Sequence, residues 1–155
     1  MYSCECDYNK CCEYDKYITN KYKSVKRFVI GKTTLGREIM GYNIGAENGL
    51  IVCGAVHGME RITSSMIYKF IDDVCTHMQK NNHLANQINK SGITLVPMLN
   101  PDGVEISIHG AKTAGKCTAL VENILKQNHI SHTKWQSNAK GVDLNHNFDA
   151  DYLNV

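Results

Sequence analysis

The chain alternates short apolar runs with longer stretches of helical period. Residues 26–30 read as a strand, closed by Gly31, and Met40, Tyr42 and Ile44 alternate with smaller or polar residues beyond a turn at residues 32–36, which reads as a second strand. Two strands joined by a turn predict a hairpin. After a second turn at residues 45–49, residues 50–56 are almost continuously apolar, which predicts a strand buried on both faces. From Ile62 the period lengthens. Ile62, Met66, Ile67, Phe70, Ile71, Val74, Cys75 and Met78 fall on one face of a helix, which a polar stretch at residues 79–82 brings to a stop. Residues 93–98 predict another strand, running into Asn100-Pro101-Asp102-Gly103. That tetrapeptide predicts a turn, because proline fixes φ and glycine accepts positive φ. Cys117, Leu120, Val121, Ile124 and Leu125 return to helical spacing, and residues 141–145 predict a short strand that delivers polar side chains at its end. Residues 14–23 are weakly helical.

Strands alternating with helices predict an α/β fold, a mixed β-sheet flanked by helices on both faces. At 155 residues the chain fits one domain with its own core, and it shows no repeat, low-complexity tract or linker. Its residues are 43% hydrophobic and 21% charged, ordinary for a globular protein. A net charge of +2 offers no basic field for nucleic acid or an anionic membrane surface, and the apolar runs are too short to span a bilayer. The polar start, MYSCECDYNKCCEYDKY, lacks the apolar core of a signal peptide, so a cytoplasmic location is the default expectation if Met1 is the true start. Residues 151–155 bring no closing helix, an unusual place for a domain to end.

Seven cysteines exceed the average without reaching the density of a disulfide scaffold. Cys4, Cys6, Cys11 and Cys12 crowd residues 1–13. A small metal or redox cluster is one reading of them; an unpacked polar leader with incidental thiols is the one favoured here, since no paired C-x-x-C is present. Cys53, Cys75 and Cys117 lie on apolar stripes and are expected to be small buried hydrophobes.

Two constellations carry chemistry. His57 and Glu60 stand three apart where an apolar strand gives way to a helix, and imidazole and carboxylate are both zinc ligands. On spacing alone, a surface histidine and a glutamate favoured by the helix dipole explain the pair equally well or better. Small neighbours at Gly54, Ala55 and Gly58 leave room for a ligand near the backbone. The second constellation, Asn145, His146 and Asn147, follows residues 141–145, and strand ends of this kind bind ligands in open α/β sheets. Its alternative is a polar loop of local Asn and Asp turns.

The order GAVHGME, then LVPMLNPDGVE, then NAKGVDLNHNFDADY resembles the zinc metallocarboxypeptidase family, above all its bacterial branch of γ-D-glutamyl-diamino-acid peptidases. IGKTTLGREIMGYNIG is similar to the hairpin ahead of the zinc strand in that family, so the likeness runs from about Val25 to Tyr152. The resemblance implies a zinc-dependent hydrolase of peptides, with Zn2+ as cofactor and a peptide, for instance from bacterial cell wall, as substrate. It places His57 and Glu60 as the first two zinc ligands, Asn145 as a holder of the substrate's terminal carboxylate, and residues 100–103 as a structural turn beside the cleft.

The departures are specific. His146 stands where the family usually has arginine, and an imidazole cannot pair bidentately with a carboxylate. We expect it to relax the demand for a free C-terminal carboxylate, or to tune the site to an unusual one. Gln136 stands where relatives often carry an oxyanion-stabilising arginine, and it offers a hydrogen bond without charge. No histidine here matches the family's third zinc ligand, and no glutamate matches its general base. Residues 14–155 are therefore expected to form an incomplete, N-terminal part of the catalytic domain, inactive alone, its missing half supplied by further sequence or by a partner chain. Two rival readings stay open: a non-catalytic remnant or peptide-binding module, and a metal site built from the N-terminal cysteines.

Overall fold

A computed structural model describes residues 2–148. Met1 and residues 149–155, with the end of the third motif, lie outside the described residues. Four strands, β1 (Val25–Lys32), β2 (Glu38–Ile44), β3 (Leu50–Cys53) and β4 (Ile93–Val96), form a sheet of order β1-β2-β4-β3. The β1–β2 hairpin is the expected one, with a bulge between Val29 and Gly31. β2 and β4 pair antiparallel, β3 and β4 parallel, so the sheet is mixed as the alternation implies. At the hairpin, Phe28 lies over its register partner Gly41, and a Cβ there would come within 2.5 Å of the ring.

Among the described residues five α-helices accompany the sheet: α1 (Tyr8–Lys21), α2 (Ile62–Met78), α3 (Asn82–Ser91), α4 (Pro101–His109) and α5 (Thr118–Gln127). The main core joins Tyr42, Ile44 and Leu95 of the sheet to Ile18 of α1 and Tyr68 and Ile71 of α2. A second cluster gathers Ile106, Ala114, Val121, Trp135 and Ala139 around α4 and α5. Cover is incomplete: Phe28, Ile30, Leu50 and Ile51 stay exposed, so the described helices do not shield both faces of the sheet. None of the described helices is long and apolar enough to cross a membrane.

The structure corrects several expectations. Residues 50–56 are not a buried strand. β3 stops at Cys53 and, with β4 its only partner among the described residues, leaves Leu50 and Ile51 64% and 66% exposed. Cys53 is exposed for the same reason. The N-terminal segment is not an unpacked leader. Asp7 caps α1 by accepting from Lys10 N at 2.8 Å, so the helix starts well before Tyr14, and Cys6 and Cys11 are fully buried. Glu105 of α4 accepts from Tyr8 N at 2.8 Å, and His109 reaches Asp7 at 3.2 Å, tying α1 to α4. Asn100-Pro101-Asp102-Gly103 is not a free turn but the start of α4: Asn100 is the N-cap, accepting from Gly103 N, and Pro101 takes the first turn, where its missing N–H costs nothing. Residues 141–145 form no strand. Asn138 accepts from the backbone of Lys140 and Val142, and Gly141 has φ of 76°, so local side-chain bonds hold a loop.

Candidate metal centre

The site is built on the connection after β3. Gly54 N donates to Val96 O at 2.8 Å, and Leu99 N and Asn100 N donate back to Gly54 O and Ala55 O, so the two parallel strands continue side by side past their ends. Ala55 takes φ of 46° there, a left-handed conformation that costs on the order of 1 kcal/mol or more. Thr63 of α2 helps to hold it, accepting from Ala55 N at 2.7 Å. The chain then leaves the sheet at its C-terminal end, where ligands of α/β folds bind.

His57 caps a short 3₁₀ helix, Gly58–Glu60, and that turn brings the two candidate ligands together. Gly58 is wedged: its N–H donates to Gln136 O at 2.9 Å, its carbonyl accepts from Ser107 Oγ at 2.7 Å, and a Cβ would meet Gly103 O at 2.3 Å. Only glycine allows this close approach of the metal loop to α4.

His57 Nδ1 lies 2.9 Å from Glu60 Oε1, and its Nε2 lies 3.2 Å from Asp143 Oδ1. The imidazole thus sits between two carboxylates, with 17% of its side chain exposed. Hydrogen bonding to Glu60 raises its pKa above the ordinary histidine value, against a smaller lowering by burial, and Asp143 raises it further. One nitrogen faces a second hard donor and the other an orienting carboxylate, the arrangement that metal-bound histidines use to fix their tautomer. The donor set therefore suits a zinc ion held by Nδ1 and Glu60, with Asp143 behind.

The third residue of this arrangement was missed in the sequence. Asp143 is 86 positions from His57, and its motif drew attention to Asn145 and His146 instead. The usable signal was chemical: a histidine ligand needs an acceptor on its second nitrogen, and Asp143 stands in the same motif. Asp143 Oδ1 also accepts from Asn145 N at 2.9 Å, which ties the Asn145-His146 turn to His57. Asn145 and His146 are themselves exposed, as is the Gln136 side chain, whose amide lies 3.8 Å from Met59 Sδ. His77 projects from α2 onto the carbonyl of Asp73, away from this site.

Residues 12–155 match the zinc carboxypeptidase family, Peptidase_M14. Protein YqgT of Bacillus subtilis is 28% identical over 141 residues, which cover 86% of this chain and 37% of that protein. The γ-D-glutamyl-L-diamino acid endopeptidase 1 of Lysinibacillus sphaericus is 30% identical over 152 residues, covering 93% of this chain and 38% of the relative. The chain thus spans less than two-fifths of either protein. A metallo-carboxypeptidase from Burkholderia cenocepacia has a similar fold, with a TM-score of 0.63 at 14% identity over 92% of this chain and 32% of that one. The chain belongs to the zinc carboxypeptidase family, a family of peptide hydrolases, and represents part of its catalytic domain.

Proposed function

We propose that this chain carries the metal-binding part of a zinc-dependent peptidase that cleaves peptide bonds at or near a peptide C-terminus. The observation that supports it is His57 set between Glu60 and Asp143 at the open end of two parallel strands. His57 and Glu60 are two of the protein ligands, and Asp143 positions the imidazole and favours its Nε2–H tautomer. A bound zinc ion supplies Lewis acidity toward the scissile carbonyl and lowers the pKa of water. A catalytic zinc site takes three protein ligands, so the third, and the general base, are assigned to the part of the domain that relatives have and this chain does not span. The free edge of β3 and its exposed Leu50 and Ile51 fit packing by that part.

On the substrate side, Asn145 and His146 face the peptide end and Gln136 offers an uncharged donor to the oxyanion. His146→Arg is the variant that restores bidentate pairing. The endopeptidase named among the relatives makes peptides with γ-D-glutamyl linkages the first substrates to assay.

The deciding measurement is metal stoichiometry with cobalt(II) in place of zinc, because cobalt spectra separate nitrogen and oxygen ligands from thiolates. His57→Ala is expected to abolish a cobalt signal of N/O type; retention of that signal in the variant, or a signal of thiolate type in its place, overturns the reading. Asp143→Ala is expected to weaken zinc by about 10- to 100-fold while leaving both ligands in place. Competition against a chromophoric chelator reads that loss, and unchanged affinity removes Asp143 from the site.

A further inference from the structure

The N-terminal cysteines are not absorbed by this site. Cys6 Sγ and Cys11 Sγ lie 3.4 Å apart, and Met98 Sδ lies 3.9 Å from Cys11 Sγ. Cys6 and Cys11 are wholly buried and Met98 nearly so, at 3% exposure. The three sulfurs come from separate parts of the fold: the residue before the cap of α1, the first turns of α1, and the segment leaving β4. Cys6 and Cys11 occupy the two positions where a helix start commonly carries an apolar staple, and cysteine serves there as a small hydrophobe. A staple accounts for two apolar side chains of any kind. It does not account for the thioether of Met98 set beside Cys11.

We propose that Cys6, Cys11 and Met98 form a three-sulfur site for a soft monovalent cation, Cu(I). Two thiolates and a thioether are the donors that select this ion over harder cations. Metal–sulfur bonds of about 2.3 Å in a trigonal arrangement put the sulfurs about 4 Å apart, so both observed separations lie within roughly half an ångström of ligation. Binding exchanges two thiol protons for one cation, and the protons leave to solvent. The hydrogen bond between the two sulfurs favours thiolate at Cys6 and pushes the Cys11 thiol up.

The group Asp7, Glu105 and His109, whose ligand atoms also converge, is a weaker candidate. Asp7 already caps α1, Glu105 accepts from Tyr8 N, and Arg37 lies 3.9 Å from its other oxygen. Those lone pairs serve the fold, whereas the other partners of the two thiols are the Ser65 and Tyr68 hydroxyls and the Asp7 carbonyl at 3.9 Å.

The test uses the chain with Cys4, Cys12, Cys53 and Cys117 replaced by serine and Cys75 by alanine, reduced and free of oxygen, titrated with Cu(I) against bicinchoninate. A single tightly bound Cu(I) per chain is expected. Cys6→Ser or Cys11→Ser is expected to abolish it, and Met98→Leu, which keeps the packing volume, to weaken it about tenfold. Circular dichroism on each variant confirms that the fold is kept, and a Cys6→Ala/Cys11→Ala pair preserves the apolar staple should serine disturb it. No copper uptake by the parent, uptake unchanged in Met98→Leu, or uptake that persists without both thiols overturns the proposal. His57→Ala is expected to leave Cu(I) binding intact, so failure here is separate from failure at the zinc site.

Discussion

Asp102→Ala is expected to destabilise the fold by about 3–5 kcal/mol, the cost of removing one partner of a buried ion pair. Only 1% of the Asp102 side chain is exposed, and its carboxylate accepts three bonds: from Thr33 Oγ1 at 2.8 Å, from Leu35 N at 3.2 Å and from Arg37 Nη1 at 2.7 Å. All three donors belong to the turn between β1 and β2, while Asp102 stands in the first turn of α4, so this carboxylate joins the hairpin to the helix. The helix N-terminus also favours an anion there. Alanine leaves the Arg37 guanidinium with Glu105 at 3.9 Å and the Tyr8 ring at 6.0 Å, and strands the Leu35 N–H without an acceptor. Asp102→Asn keeps the shape and one acceptor but loses the charge, for an expected loss of about 1–3 kcal/mol. Urea midpoints at constant m-value give both numbers. An alanine variant less than about 1 kcal/mol from the parent, the range of a surface pair, rules out this account.

What the sequence revealed depended on how local the deciding interaction was. α2 is legible because its burial has helical period over the whole element, and Ile67, Ile71 and Cys75 are buried as that period requires. α3 is fainter by the same criterion: no residue of NHLANQINKS is fully buried, and the helix rests on the Asn81 cap and on the partly buried Leu84 and Ile88, of which Ile88 packs against the main core. The composition of residues 50–56 predicts a strand buried on both faces. Composition reports what a strand is suited to, not whether a neighbour lies beside it, and among the described residues nothing pairs with its outer edge. The pairing of Cys6 with Cys11 is hidden in the sequence because four residues separate them in no familiar motif, and the helix start capped by Asp7 folds one back on the other.

The same contrast holds at the candidate metal centre. His57 and Glu60 are close in sequence, and one 3₁₀ turn converts their spacing into a 2.9 Å contact. Asp143, Asn100 and Gly58 support them through contacts spanning tens of residues, which spacing does not encode. Asn100 shows how one residue type can signal two outcomes. An Asn-Pro-Asp-Gly stretch suits a turn and a helix start equally, and its buried environment makes it the start of α4.

Asn100→Ala is therefore expected to do more than uncap a helix. Loss of an Asn cap costs about 1 kcal/mol. Here the same side chain turns its amide inward: Nδ2 donates to Val56 O at 3.1 Å and to Gln136 O and Ser137 O at 3.2 Å each. Val56 immediately precedes His57, and Gln136 O also receives the N–H of Gly58, so Asn100 clamps the metal loop to the segment beneath it. Buried carbonyls that lose a donor add about 1–3 kcal/mol, for a combined loss of about 2–4 kcal/mol. Asn100→Asp separates the two roles. Aspartate keeps the cap, since it accepts from Gly103 N as well as asparagine does, but it sets a carboxylate oxygen against three carbonyl oxygens. If the clamp dominates, aspartate is at least as damaging as alanine, and zinc affinity falls with it because the backbone carrying His57 is released. If the cap dominates, aspartate matches the parent in both thermal midpoint and zinc affinity. The clamp is expected to win, because one donor group serves three acceptors whose only other bond among the described residues is the Gly58 N–H on Gln136 O.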